Sequence, residues 1–135
     1  MKYFLVLSIF LFGLVCMAQE PIVEKVNNES EHIFTSKDKD YLQYWHYEQI
    51  LKMDMTEDGR DGYLSLLNYY TYKMSRLGLA KYNYTDSERK TKFDELVNKL
   101  NADMRDLLSP SDYKIHEESF KKITQLVYDK RNWNN

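Results

Sequence analysis

Cysteine, proline and glycine are scarce in this chain, at one, two and four residues in 135. One cysteine cannot close a disulfide within the chain, nor build a cysteine-ligated zinc centre. So few glycines and prolines leave too few turn residues for an all-β fold of many short strands. An excess of either charge is missing too: 19 Lys and Arg stand against 21 Asp and Glu, a formal net charge of −2. Such a balance predicts neither a nucleic-acid binder nor a polybasic membrane surface. Long apolar runs are confined to one place, Phe4 to Val15.

That run follows a single early cation, Lys2, and leads into the small-residue tripeptide "CMA". Charge, length and cleavage pattern together make residues 1–18 a secretory signal, cut after Ala18. The run is shorter than the ~18–20 residues of a membrane span, so no integral span is expected. A retained anchor helix is one rival. A lipid attached at Cys16 is the other, and it is disfavoured because Val15 stands where a small residue normally precedes such a cysteine. Cleavage leaves Gln19–Asn135, free of cysteine, with 18 cations against 21 acids and a formal charge of −3. A periplasmic or secreted protein with one small domain is expected.

Residues 19–36 are polar and aperiodic and read as a flexible lead-in, which sets the folded domain at 37–135. Within it the pattern is helical. From Asp38 a short helix carries Tyr41, Leu42, Trp45 and Gln49 on one side, widened by Tyr44, Tyr47, Ile50 and Leu51. A second helix repeats Tyr63, Leu66, Leu67, Tyr70, Met74 and Leu77 at three- and four-residue steps. Gly78 is expected to end it in a left-handed conformation. Thr85 and Glu88 have capping-box spacing ahead of a third helix on Phe93, Leu96, Val97, Leu100, Met104 and Leu107. Ser109 and Pro110 then open a fourth, with Tyr113, His116, Phe120, Ile123 and Val127 on its stripe. The fold class is all-α, a bundle of about four helices with three long and one shorter and aromatic.

Placing Thr56 under Ser109 reveals an internal repeat. Tyr63 then falls on His116, Leu67 on Phe120, Tyr70 on Ile123 and Met74 on Val127, each helix opening with a hydroxyl cap and acids. The first copy, "DMTEDGRDGY", also has the look of a calcium loop, with ligands at Asp54, Thr56 and Asp58 and a turn at Gly59. The twelfth position, however, is Ser65 rather than a bidentate glutamate, the eighth is Asp61, and Arg60 adds a positive charge. Thr56 is therefore read as a helix cap, like Thr85 and Ser109, with Glu57, Asp58 and Asp61 meeting the helix dipole. Gly59 and Gly62 are not explained by capping; close approach of a neighbouring backbone or ring is expected there.

No nucleophile elbow, phosphate loop or dinucleotide fingerprint is present, so no catalytic residue, cofactor or metal site is assigned. His32, His46 and His116 lack the i, i+4 spacing of a helical metal clamp. His116 is expected at the core edge with a backbone partner. A metal-responsive site would need His46 and His116 to converge with carboxylates in space. Tyrosine, by contrast, is abundant, with 12 residues. A small bundle cannot bury Tyr41, Tyr44, Trp45, Tyr47, Tyr69 and Tyr72 along with its stripes. They form the candidate protein-binding surface, because tyrosine offers large contact area at low entropic cost.

The repeat resembles that of the small periplasmic helical proteins of the Spy/CpxP type, which carry two Leu-Thr-x-x-Gln motifs at helix starts. The copies here are "MTEDG", Met55 to Gly59, and "LSPSD", Leu108 to Asp112. Both keep the hydroxyl, while Gly59 and Asp112 replace the glutamines. The segment "TDSERKTKFDELVNKLNADMRDLLSPSDY" also looks like the helix such proteins, especially those of Bacteroidetes-type bacteria, place before the second motif. The resemblance covers Glu48 to Trp133. It implies a non-enzymatic ATP-independent chaperone or envelope-stress protein that works as a homodimer and holds unfolded clients. A metal-responsive envelope protein and a small enzyme inhibitor or structural protein are the rival functions.

Overall fold

A computed structural model of the chain describes residues 32–134. The signal segment, Cys16 and most of the lead-in lie outside the described residues. Four helices follow in order: α1 (Ser36–Ile50), α2 (Glu57–Ser75), α3 (Asp86–Leu107) and α4 (Pro110–Arg131), with 3-10 turns at Arg76–Gly78 and Ala80–Tyr82. The described fold is all-α. None of its helices is long and apolar enough to cross a membrane.

Each helix begins at a hydroxyl, because the first backbone N–H groups of a helix lack internal partners. Thr56 Oγ1 accepts from Gly59 N–H at 3.1 Å, and Ser109 Oγ from Asp112 N–H at 3.2 Å. Thr85 and Glu88 close a reciprocal capping box. A second box, between Thr35 and Asp38, starts α1 two residues before the sequence pattern suggested. Residues 57–65 are thus the first turns of α2 rather than a metal loop. At the other end of α2, Gly78 has no left-handed angle; the helix tightens into a 3-10 turn instead. The left-handed residues are Asn83 and Asn132, with φ of 50° and 55°, tolerable because asparagine's short polar side chain suits that region.

Packing follows the repeat. α2 lies on α3, α3 on α4 and α4 on α1. All four aligned pairs are buried: Tyr63 with His116, Leu67 with Phe120, Tyr70 with Ile123, and Met74 with Val127. They meet Phe93, Leu100 and Met104 of α3, which are fully buried. The second motif also reaches the first. Asp112 is 4% exposed, and its carboxylate accepts from the Asp54 backbone N–H at 3.0 Å as well as from Ser109 Oγ. One side chain therefore serves the cap of α4 and the loop before α2.

The lead-in boundary at residue 36 is corrected. Ile33 and Phe34, at 1% and 5% exposed, are core residues, and Ile33 N–H donates to the Ser75 carbonyl at 3.0 Å. The folded domain therefore includes an apolar pair just before the Thr35 cap. At the far end Trp133 is buried against Phe93, and its indole N–H donates to Asp86 at 2.8 Å.

Candidate functional site: a groove between the first two helices

The Ile33–Ser75 bond places the start of α1 beside the end of α2, so the two helices run antiparallel. They do not close on each other: α1 packs on α4 and stands off from α2. Between them lies a groove of about 550 Å³. On α1 its wall is Lys39, Leu42, Gln43, His46, Tyr47 and Ile50. On α2 it is Leu64, Leu67, Asn68, Thr71, Tyr72 and Ser75. Both sets are spaced i, i+3, i+4, i+7, i+8, i+11, one continuous face of each helix. Phe120 and Ile123 of α4 form the floor, and Phe34 lines the groove as well.

Beside the groove runs a buried polar chain. Tyr63 Oη stands 2.7 Å from His46 Nε2 and 3.0 Å from His116 Nδ1, and His116 Nε2 lies 3.1 Å from Asn101 Oδ1. With the Asn101 oxygen as acceptor, His116 carries its proton on Nε2 and its Nδ1 accepts from the tyrosine O–H. The tyrosine oxygen then accepts from His46 Nε2–H. His46 Nδ1, buried, has no partner. Burial lowers the pKa of His46 to about 4. Burial, and then repulsion from His46, lower that of His116 to about 4. Burial likewise pushes the Tyr63 phenol up. The triad is therefore neutral at pH 7 and forms a hydrogen-bonded part of the core.

The expectation that His116 sits at the core edge with a backbone partner is corrected on both counts: it is fully buried, and its partners are side chains. His46 and His116 do converge, as a metal-responsive site would require, but on the Tyr63 hydroxyl and without a carboxylate. Among the described residues, no group of three or more His, Cys, Asp or Glu side chains could hold a metal ion.

The expected aromatic surface divides into three. Tyr41, Tyr44 and Tyr47 of α1 are 58%, 68% and 59% exposed, and Leu51 beyond them is exposed too. Tyr69 and Tyr72 of α2 are also exposed, but each has a nearby cation over the ring: Lys73 of α2 at 4.2 Å and Arg76 of the following turn at 5.1 Å. Trp45 does not belong with them. Its ring is half-buried, and its indole N–H donates to the buried Ser119 hydroxyl at 3.0 Å, which makes it a clamp between α1 and α4. Only Tyr47 and Tyr72 reach the groove, from opposite walls. The groove itself was missed in the sequence, although the twelve-residue stripe from Leu64 to Ser75 is legible there.

The two glycines of α2 have plainer roles than expected. A Cβ on Gly59 would come within 3.2 Å of the Thr56 cap oxygen, so its smallness keeps the cap uncrowded. A Cβ on Gly62 would meet Leu107 at an ordinary 3.6 Å, and no backbone or ring lies close to it.

Comparison with known proteins returns no matching family model, no matching curated protein and no matching solved structure.

Proposed function

We propose that this is an exported, non-catalytic helical protein that binds other proteins, holding non-native clients without ATP in the manner of the Spy-type proteins its paired helix starts resemble. One observation carries the reading: three tyrosines of one short helix, Tyr41, Tyr44 and Tyr47, are all more than half exposed. Isolated exposed apolar residues are ordinary on any surface, but a run of large aromatics is a contact area in waiting. Tyrosine supplies such area while its hydroxyl keeps the free surface soluble. The cation-covered Tyr69 and Tyr72 extend the face as a mixed charged and aromatic surface. The His46–Tyr63–His116 triad, whose hydrogen bonds run to one another and to Asn101, suits a packing role beside that surface.

The test is suppression of aggregation of a chemically unfolded model protein, without nucleotide, by protein expressed from its full reading frame in an exporting bacterium. Suppression near stoichiometric ratios is expected. A Tyr41→Ser/Tyr44→Ser variant should lose most of it while keeping its thermal transition, since neither ring is in the core. No suppression at several-fold excess would refute the client-holding role.

A further inference from the structure

We propose that the α1–α2 groove is a binding site for a single-chain amphiphile with a carboxylate head, its head at Lys39 and its chain laid along the floor toward Ile50 and Leu64. Three observations select that ligand. The first is shape. The lining on each helix spans eleven residue steps, roughly 16 Å at the helical rise. The groove offers about 550 Å³, within the ~300–1,000 Å³ range of small-ligand sites. A single extended acyl chain matches that length and that volume.

The second is the chemistry of the walls. Leu42, Ile50, Leu64, Leu67, Phe120 and Ile123 present hydrocarbon along the whole trough. The two aliphatic hydroxyls of its α2 wall are already engaged: Thr71 donates to the Leu67 carbonyl at 2.8 Å and Ser75 to the Tyr72 carbonyl at 2.8 Å. Its polar groups, Gln43, His46, Asn68 and the two tyrosine hydroxyls, stand on the walls, and the floor of Phe120 and Ile123 is hydrocarbon. The third is charge. Lys39 is the one charged residue of the lining, and it stands at the end where Phe34 and Ser75 close the trough. No acidic side chain lines the groove, so an anionic head is favoured and a cationic one opposed.

The experiment is calorimetric titration of the purified protein with dodecanoate below its micellar concentration, beside dodecylamine as the cationic counterpart. One dodecanoate per chain is expected, bound roughly five-fold or more tighter than the amine, the ratio that one exposed charge supports. Lys39→Glu should invert that preference. Asn68→Trp, at an exposed position on the wall, should block both ligands while leaving the circular dichroism spectrum unchanged. Equal binding of the two heads, or indifference to Lys39→Glu, would overturn the proposal in favour of non-specific adhesion to apolar surface. Absence of saturable binding would also overturn it, as would one ligand per two chains with loss of a dimer, which would make the groove a contact between copies. The site shares Tyr47 and Tyr72 with the client surface but not Tyr41 or Tyr44, so Tyr41→Ser/Tyr44→Ser should leave dodecanoate binding intact.

Discussion

Helix α2 has two apolar faces, and they meet different fates. One is sealed against α3, where Phe93, Leu100 and Met104 are fully buried and the Tyr70 hydroxyl donates to Asp103 at 2.6 Å. The other looks across an open trough at α1. The same three- and four-residue spacing serves both, so apolar periodicity alone does not say whether a face has a partner. What differs is the facing helix. α3 offers a clean stripe of Phe93, Leu100 and Met104. α1 offers Lys39, Gln43 and a histidine among its apolar residues, and it is held away by α4 through Trp45 and Ser119.

The largest effect should come from the sealed face. Leu100→Ala should cost about 3 kcal/mol in a urea melt, because a fully buried leucine leaves a cavity as well as losing transfer energy. Leu64→Ala, at the half-buried groove wall, should cost about 1 kcal/mol or less. Equal costs for the two would mean that the groove closes in solution.

Next comes the polar chain that separates the two faces. Tyr63→Phe should cost about 2–3 kcal/mol, since it leaves His46 Nε2 and His116 Nδ1 unpaired where water cannot reach. Acid should act on the same groups. Both histidines are held near 4 against an ordinary value of about 6.5, so below that value the unfolded chain takes up protons that the folded one refuses. Stability from this source is complete above pH 6.5 and falls by about 1.4 kcal/mol per pH unit for each histidine as the pH drops toward 4. Urea melts at pH 7 and pH 5 measure the slope; a pH-independent midpoint would mean that the imidazoles are solvated.

The smallest effect sharpens the comparison at its margin. Gly62 faces Leu107 at the end of the α2–α3 seam with room for a methyl group. Gly62→Ala should therefore stabilise the protein by about 0.5–1 kcal/mol, the helical advantage of alanine, read as a raised urea midpoint.

Much of the architecture was legible because it depends on local rules. The caps at Thr56, Thr85 and Ser109 and the stripes of α2, α3 and α4 are statements about neighbours within two turns, and the sequence displays those directly. The repeat was legible for the same reason: its aligned positions share a burial face. The start of the domain could have been found, since Thr35 and Asp38 have capping-box spacing just after the apolar pair Ile33-Phe34. Polarity of the surrounding residues hid it. The groove, the partners of His116 and the role of Trp45 could not be found that way. Each depends on how far α4 holds α1 from α2, a distance that no pattern within one helix encodes. The exposed tyrosines sit between these cases: Tyr41 and Tyr44 were recognisable as surplus to a small core, while Trp45, next to Tyr44, was claimed by a serine 74 residues away.

The two ends of the described chain are fastened side by side. The Arg131 guanidinium donates to the His32 carbonyl, and Lys130 pairs with Asp38. The end of α4 is thus tied to the segment that opens α1, so the four helices follow one another almost as a ring. A short linker from residue 134 to residue 32, replacing the preceding segment, would leave the helix contacts in place, and the chain could be reopened in the exposed turn at Lys81–Asn83 without dividing any of the four α-helices. Such a circular permutant would keep the groove whole while freeing both new ends on a different side of the bundle's wiring, where a tag or surface attachment would burden neither Ile33 nor Trp133.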